Sequence, residues 1–87
     1  GIDPAAPALE HTEADAELVA ALKGWRLDEA RRLGVPAFRV LTDRVLLAIA
    51  AECPARIDDL RRVSGMGPKL VEKYGAQIVG ICSAFGG

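Results

Sequence analysis

The segment Ser64-Gly65-Met66-Gly67-Pro68-Lys69-Leu70-Val71-Glu72-Lys73-Tyr74-Gly75 is where residue type and spacing point to chemistry. Its two glycines permit positive φ and a close backbone approach. Pro68 suits the first position of a helix, where a missing N–H costs nothing. The free N–H groups of that first turn face an arriving anion. Lys69 and Lys73 are four positions apart and share a helix face, while Leu70, Val71 and Tyr74 point elsewhere. Together the amides of Gly65, Met66 and Gly67 and the two ammonium groups can seat a nucleic-acid phosphate. The spacing is not that of a nucleotide-binding GxxxxGK[ST] loop. The plainer alternative is an exposed basic helix face with Glu72 as its local partner.

Enzymatic chemistry finds little support. The single histidine, His11, lies near the amino terminus, and no Ser/His/Asp, Cys/His or His-rich metal constellation can be assembled. Asp58 and Asp59 are adjacent, so on a helix they diverge by about 100°. No cofactor is expected. Cys53 and Cys82 have no metal-ligand spacing and read as two small buried hydrophobes in a reducing, intracellular setting. No apolar run approaches the roughly 18 residues of a membrane span, and no secretory signal pattern is present.

Eighty-seven residues suffice for one small domain with a modest core. The opening Gly1-Ile2-Asp3-Pro4 lacks an initiator Met, which suggests an excised piece or a cloning scar. About half the residues are apolar and few are aromatic, so the core is aliphatic. Ala, Leu and Arg outweigh β-branched residues, which favours helix. The net charge of −1 conceals an asymmetry. Residues 1–22 carry five acids and no Lys or Arg, a net −5, and the remainder carries eleven bases against seven acids, a net +4. Glu13, Asp15 and Glu17 of that acidic lead favour a helix N-terminus. Besides that first account, they can repel DNA from one side or dock on a basic part of a longer parent protein.

These features require positioning elements. Residues 1–11 read as a flexible tail or remnant, and residues 12–87 as the domain. Thr12 and Asp15 resemble a capping box that opens a helix over about Glu13–Leu33. Leu18, Val19, Leu22, Trp25, Ala30 and Leu33 form its apolar side, with Arg26 and Glu29 at the rim. Gly34 stops it. Val35–Leu41 then reads as a buried crossing loop or an unpartnered extended stretch, because Pro36 holds Val35 extended. Thr42 caps a second helix over about Asp43–Glu52, which Pro54 ends. A third runs over about Arg56–Val63. The glycine turn leads into a fourth, about Pro68–Lys73. After a kink or cap at Gly75, a fifth carries Ile78, Val79, Ile81, Cys82 and Phe85. The expectation is an all-α, compact five-helix bundle with a helix-hairpin-like glycine turn.

The order Leu22 to Arg26, Val35-Pro36-Ala37-Phe38, Thr42-Asp43, Pro54, Leu60, Ser64-Gly65-Met66-Gly67, Lys69 and Tyr74-Gly75 resembles the HRDC domain. This is the helicase-and-RNase-D C-terminal domain, and the likeness covers about residues 13–86, most like that of a bacterial RecQ DNA helicase. The resemblance implies a non-catalytic five-helix module that binds nucleic acid or regulates a neighbouring motor or nuclease. It places an aromatic in the loop after the Val-Pro pair, Phe38 here, with Arg39 beside it. Basic residues surround the glycine turn, and Tyr74 matches an aromatic before glycine. The family often has Tyr where this chain has Phe38, which can stack on a base but offers no hydroxyl to a phosphate. Phe38 either stacks on an unpaired base or plugs into the core. Tyr74 is likewise either packed or stacked. Arg39 and Arg44 flank the same loop and are candidates for one basic patch.

Two functions follow as expectations. In the first, Phe38, Arg39, Arg44, Gly65, Met66, Gly67, Lys69, Lys73 and Tyr74 contact single-stranded or forked DNA weakly. The module then tunes substrate choice of a RecQ-type helicase in recombination and repair. In the second, the acidic residues Glu13, Asp15 and Glu17 dock on other domains of the same helicase chain. An RNase D parent is the alternative, with RNA as the nucleic acid. The isolated domain is expected to be a monomer without membrane contact, in a bacterial cytoplasm near the nucleoid.

Overall fold

The computed structural model describes the backbone of residues 5–86 and the side chains of residues 16–85. Five helices follow in order: α1 (Ala5–Leu33), α2 (Ala37–Val40), α3 (Asp43–Glu52), α4 (Ile57–Arg61) and α5 (Pro68–Gly86). The all-α, five-helix expectation holds, but the chain is partitioned differently from the sequence reading.

Helix α1 begins at Ala5 rather than near Glu13. Residues 5–11 contain three alanines, the strongest helix former. Pro7 falls in the first turn, where no intrahelical N–H bond is lost. At the other end Gly34 takes φ +71°. Its N–H bonds to Arg31 O at 3.2 Å, and the Val35 N–H reaches Ala30 O at 3.0 Å. This crossed pair is a Schellman stop, which needs the left-handed residue that glycine supplies.

The Val35–Leu41 stretch is neither a crossing loop nor a strand. Pro36 is extended at φ −64°, ψ 151° and serves as the N-cap of one helical turn, α2. Arg39 N–H bonds to Pro36 O at 3.0 Å and Leu41 N–H to Ala37 O at 3.3 Å. Helix α3 has the expected bounds, with the Thr42 hydroxyl accepting from Val45 N–H at 3.3 Å. It ends at Cys53, which adopts φ 46° and ψ 60°, the left-handed C-cap geometry. Helix α4 is shorter than expected and continues as bends, with Val63 N–H on Leu60 O and Met66 N–H on Val63 O.

The expected break at Gly75 does not occur, and α5 runs continuously through it. Gly75 is buried, and a Cβ there would lie 3.0 Å from Ile57 Cδ1 and 3.4 Å from Val71 Cγ1. The missing side chain lets α4 approach α5 closely; it does not end the helix.

One core joins these helices. Leu18 and Leu22 of α1, Leu46 and Ile49 of α3, Leu60 of α4, and Val71, Ile78 and Cys82 of α5 are buried in it. Helix α1 packs against α2, α3 and α5, and α4 packs against α5. Leu33 and Phe85, expected on apolar faces, are each 41% exposed because each lies at the end of a helix, beyond the packed layer. No helix among the described residues is long and apolar enough to cross a membrane.

Candidate nucleic-acid interface

The α2–α3 corner is built around a buried arginine. Arg26, on the inner side of α1, donates from Nη1 to Leu41 O at 2.7 Å and lies 2.8 Å from Asp43 Oδ1. It therefore holds both the C-cap residue of α2 and the first residue of α3. Val40 and Leu41 are buried beneath the corner. Phe38 is turned outward and is 62% exposed. It does not plug the core, because Val40 and Leu41 already fill that space. Arg39 and Arg44 are also exposed, and neither is in an ion pair among the described residues.

The glycine turn abuts the same corner. Gly65 takes φ +93°, and a Cβ there would fall 2.5 Å from Val45 Cγ2 on the first turn of α3. Only glycine fits this backbone and this contact. The turn is thus seated on the residue next to Arg44. Gly67 has no heavy atom within 4 Å of the corresponding position, and its carbonyl accepts from Val71 N–H at 3.0 Å, inside the first turn of α5. Lys69 is exposed at the start of α5 without an ion-pair partner among the described residues. Lys73 is also exposed, with Nζ 5.4 Å from the centroid of the Tyr74 ring.

Two of the expected contacts are not available. The Met66 amide, expected at the phosphate, donates to Val63 O at 3.1 Å, and its side chain is buried where the turn folds inward over the core. Tyr74 is 4% exposed. Its ring meets Trp25 edge-on at 5.1 Å and 82°, and its hydroxyl donates to Glu29 Oε2 at 3.0 Å. Tyr74 is packed, not stacked on a ligand. Burial and the Glu29 hydrogen bond push its phenol above the ordinary value. Glu29 also receives Arg32 through Nε at 3.0 Å and through Nη2. The Arg32 hydrogen bond outweighs burial and holds the Glu29 carboxyl below its ordinary value.

Arg26 and Glu29 are the residues that the sequence reading placed only at the rim. Their spacing on the apolar side of α1 was the available signal. What they bind, Leu41 O, Asp43 and Tyr74, lies 15 to 45 positions away. Among the acidic candidates, Glu17 is exposed, and the side chains of Glu13 and Asp15 lie outside the described residues. No group of acidic, histidine or cysteine residues able to hold a metal occurs among the described residues.

A helical domain with an exposed aromatic, exposed basic side chains that have no ion-pair partner among the described residues, and a tight glycine turn defines a class, that of small helical modules able to face a polyanion. Residues 15–82 match the HRDC domain family, and the chain belongs to it, a family of non-catalytic accessory domains of helicases and RNase D. The ATP-dependent DNA helicase UvrD2 of Mycobacterium tuberculosis is 39% identical over 67 residues, 77% of this chain and 10% of the helicase. Ribonuclease D of Gluconacetobacter diazotrophicus is 44% identical over 52 residues, 60% of this chain and 13% of the nuclease. The solved structure described as D. radiodurans RecQ HRDC domain 3 superposes with a TM-score of 0.76 at 34% identity. That match covers 80% of this chain and 92% of the other. The chain spans about a tenth of the length of the first curated relatives it matches.

Proposed function

We propose that this domain is an auxiliary DNA-contacting module of a bacterial DNA helicase. It binds single-stranded or forked DNA weakly and influences which DNA structures the motor engages in recombination and repair. The observation that carries this reading is the α2–α3 corner, where Phe38, Arg39 and Arg44 stand exposed, the two arginines without an ion-pair partner among the described residues, and the Gly65 turn is seated on Val45. Phe38 stacks on an unpaired base, a contact worth about 1–3 kcal/mol. Arg39, Arg44, Lys69 and Lys73 neutralise phosphates, and the amides of Gly65 and Gly67 approach the backbone. Such binding is electrostatic, tolerant of sequence and sensitive to salt. The UvrD2 and RecQ similarities support a helicase parent. In this reading the domain is a monomer and works in the cytoplasm beside the nucleoid.

Fluorescence anisotropy with a labelled single strand and a labelled fork tests the proposal at low and physiological salt. Micromolar or tighter binding that weakens steeply with salt is the expected result. The paired change Lys69→Ala, Lys73→Ala lowers affinity and reduces the salt slope by about two, one for each lost phosphate contact. Unchanged binding by that pair removes the basic face of α5 from the site.

The RNase D similarity favours a second reading, in which the same surface meets RNA beside a nuclease. An RNA strand of the same sequence in the same titration separates the two. A domain that binds neither strand is instead an interdomain regulator, with exposed Glu17 in its acidic lead as a docking candidate.

A further inference from the structure

Two of the exposed groups of the proposed DNA surface sit on a very short piece of helix. Phe38 and Arg39 belong to a single helical turn of four residues. A lone turn has little stability of its own, because helix nucleation is unfavourable. Pro36 provides no side-chain cap hydrogen bond to α2. Some other group must hold the turn in one orientation.

Arg26 is that group by geometry. Its side chain is 10% exposed, and its Nη1 holds Leu41 O and Asp43 Oδ1 at once. Leu41 closes the α2 turn and Asp43 opens α3, so a single nitrogen clamps the two sides of the corner. Only the Arg26 end of the pair is buried, while Asp43 is exposed to solvent, so the pair adds little stability but fixes direction. Arg26 Nε has no hydrogen-bond partner among the described residues, a cost that an apolar side chain of similar length would not carry.

We infer that Arg26 is the positioning residue of the surface, preorganising Phe38, Arg39 and Arg44 for a DNA strand that it does not itself touch. The inference rests on the DNA-contact reading above. Its consequence is specific. Loss of Arg26 leaves every phosphate-contacting side chain in place, but the corner must be ordered at the moment of binding, and that ordering costs affinity.

The test titrates a fluorescein-labelled oligothymidylate against the whole chain across a salt series, with amide hydrogen exchange followed in parallel. Arg26→Met is expected to bind roughly three- to tenfold more weakly, with the salt slope of the unaltered protein and faster exchange at the Leu41 amide. Arg26→Lys, which keeps charge and donor, recovers most of the affinity. Asp43→Asn, a milder change at the exposed end of the clamp, moves affinity in the same direction by a smaller factor and serves if Arg26→Met does not fold. Phe38→Ala and Arg39→Ala probe the underlying reading, and Arg39→Ala lowers the salt slope by about one. Ile78→Val, in the core on α5, controls for general loss of stability.

If Arg39→Ala and Phe38→Ala weaken binding while Arg26→Met and Asp43→Asn do not, the positioning role is wrong and the DNA surface stands. If Ile78→Val weakens binding as much as Arg26→Met at matched stability, Arg26 acts only through global stability and the inference fails. If neither Phe38→Ala nor Arg39→Ala changes binding, the surface itself is misplaced and the inference falls with it.

Discussion

The Tyr74 hydroxyl donates to Glu29 Oε2 at 3.0 Å although the residues are 45 positions apart. This bond ties the first half of α5 to the C-terminal part of α1. It also explains why a tyrosine is accommodated in an aliphatic core, since a buried phenol needs a polar partner. Tyr74→Phe keeps the ring against Trp25 and removes only that bond. We expect it to destabilise the domain by roughly 1 kcal/mol, read as a lower urea midpoint at unchanged slope. Because Tyr74 is buried, the same variant should bind DNA as the unaltered protein does.

Acid sensitivity follows from Glu29. Its carboxyl is held below the ordinary 4.5, first by the Arg32 hydrogen bond and then by that from Tyr74, against the opposing effect of burial. A carboxyl depressed in the folded state binds protons more readily when unfolded. Its contribution is therefore complete above pH 4.5 and is lost as pH falls through the folded value. Thermal melts from pH 7 down to pH 3 should show this loss, and Glu29→Gln should flatten that part of the profile while lowering stability at neutral pH.

The two glycines of the turn should respond differently to the same substitution. Gly65→Ala forces a side chain into positive φ and onto Val45 Cγ2. We expect a loss of about 1–3 kcal/mol. Adding Val45→Ala relieves the overlap but not the backbone strain, so recovery should be partial. Gly67→Ala meets nothing within 4 Å at normal φ and should be nearly neutral. Urea denaturation of the four proteins checks the set, and equal losses at Gly65 and Gly67 would contradict the described geometry.

The thiols should also divide. Cys82 is buried on α5, and burial followed by the neighbouring Cys53 pushes its pKa up to about 11. Cys53, at the C-cap of α3, is half-buried and donates to Cys82 O at 3.6 Å. At pH 8 an alkylating reagent should label Cys53 first and Cys82 only as the domain unfolds, because the thiolate is the reactive form. Mass spectrometry of peptides from timed quenches distinguishes the two sites.

Local signals in the chain were sufficient wherever a feature depended on a few neighbouring residues. Thr42 before an apolar stripe marked α3 with its bounds, because an N-cap is satisfied within three residues. Gly34 marked the end of α1, because a left-handed stop is a property of one residue. The exposed Lys69 and the Gly65 turn were visible for the same reason. Other features were misread because their cause lies elsewhere in the chain. Gly75 reads locally as a helix end, yet it is the close passage of Ile57 that calls for glycine there. Residues 35–41 read as a loop, since nothing nearby in sequence discloses that Arg26 clamps the turn.

The identity of the candidate surface divides along the same line. Residue types and order along the chain established an all-α fold, the HRDC family and the glycine turn ahead of α5, because capping, periodicity and glycine geometry are short-range properties. Which aromatic faces solvent was settled by packing. Val40 and Leu41 fill the space under the α2–α3 corner and leave Phe38 outside, whereas the carboxylate of Glu29 and the edge of Trp25 draw Tyr74 inward. Burial of a side chain depends on what the rest of the chain brings to meet it, and those partners lie tens of residues away.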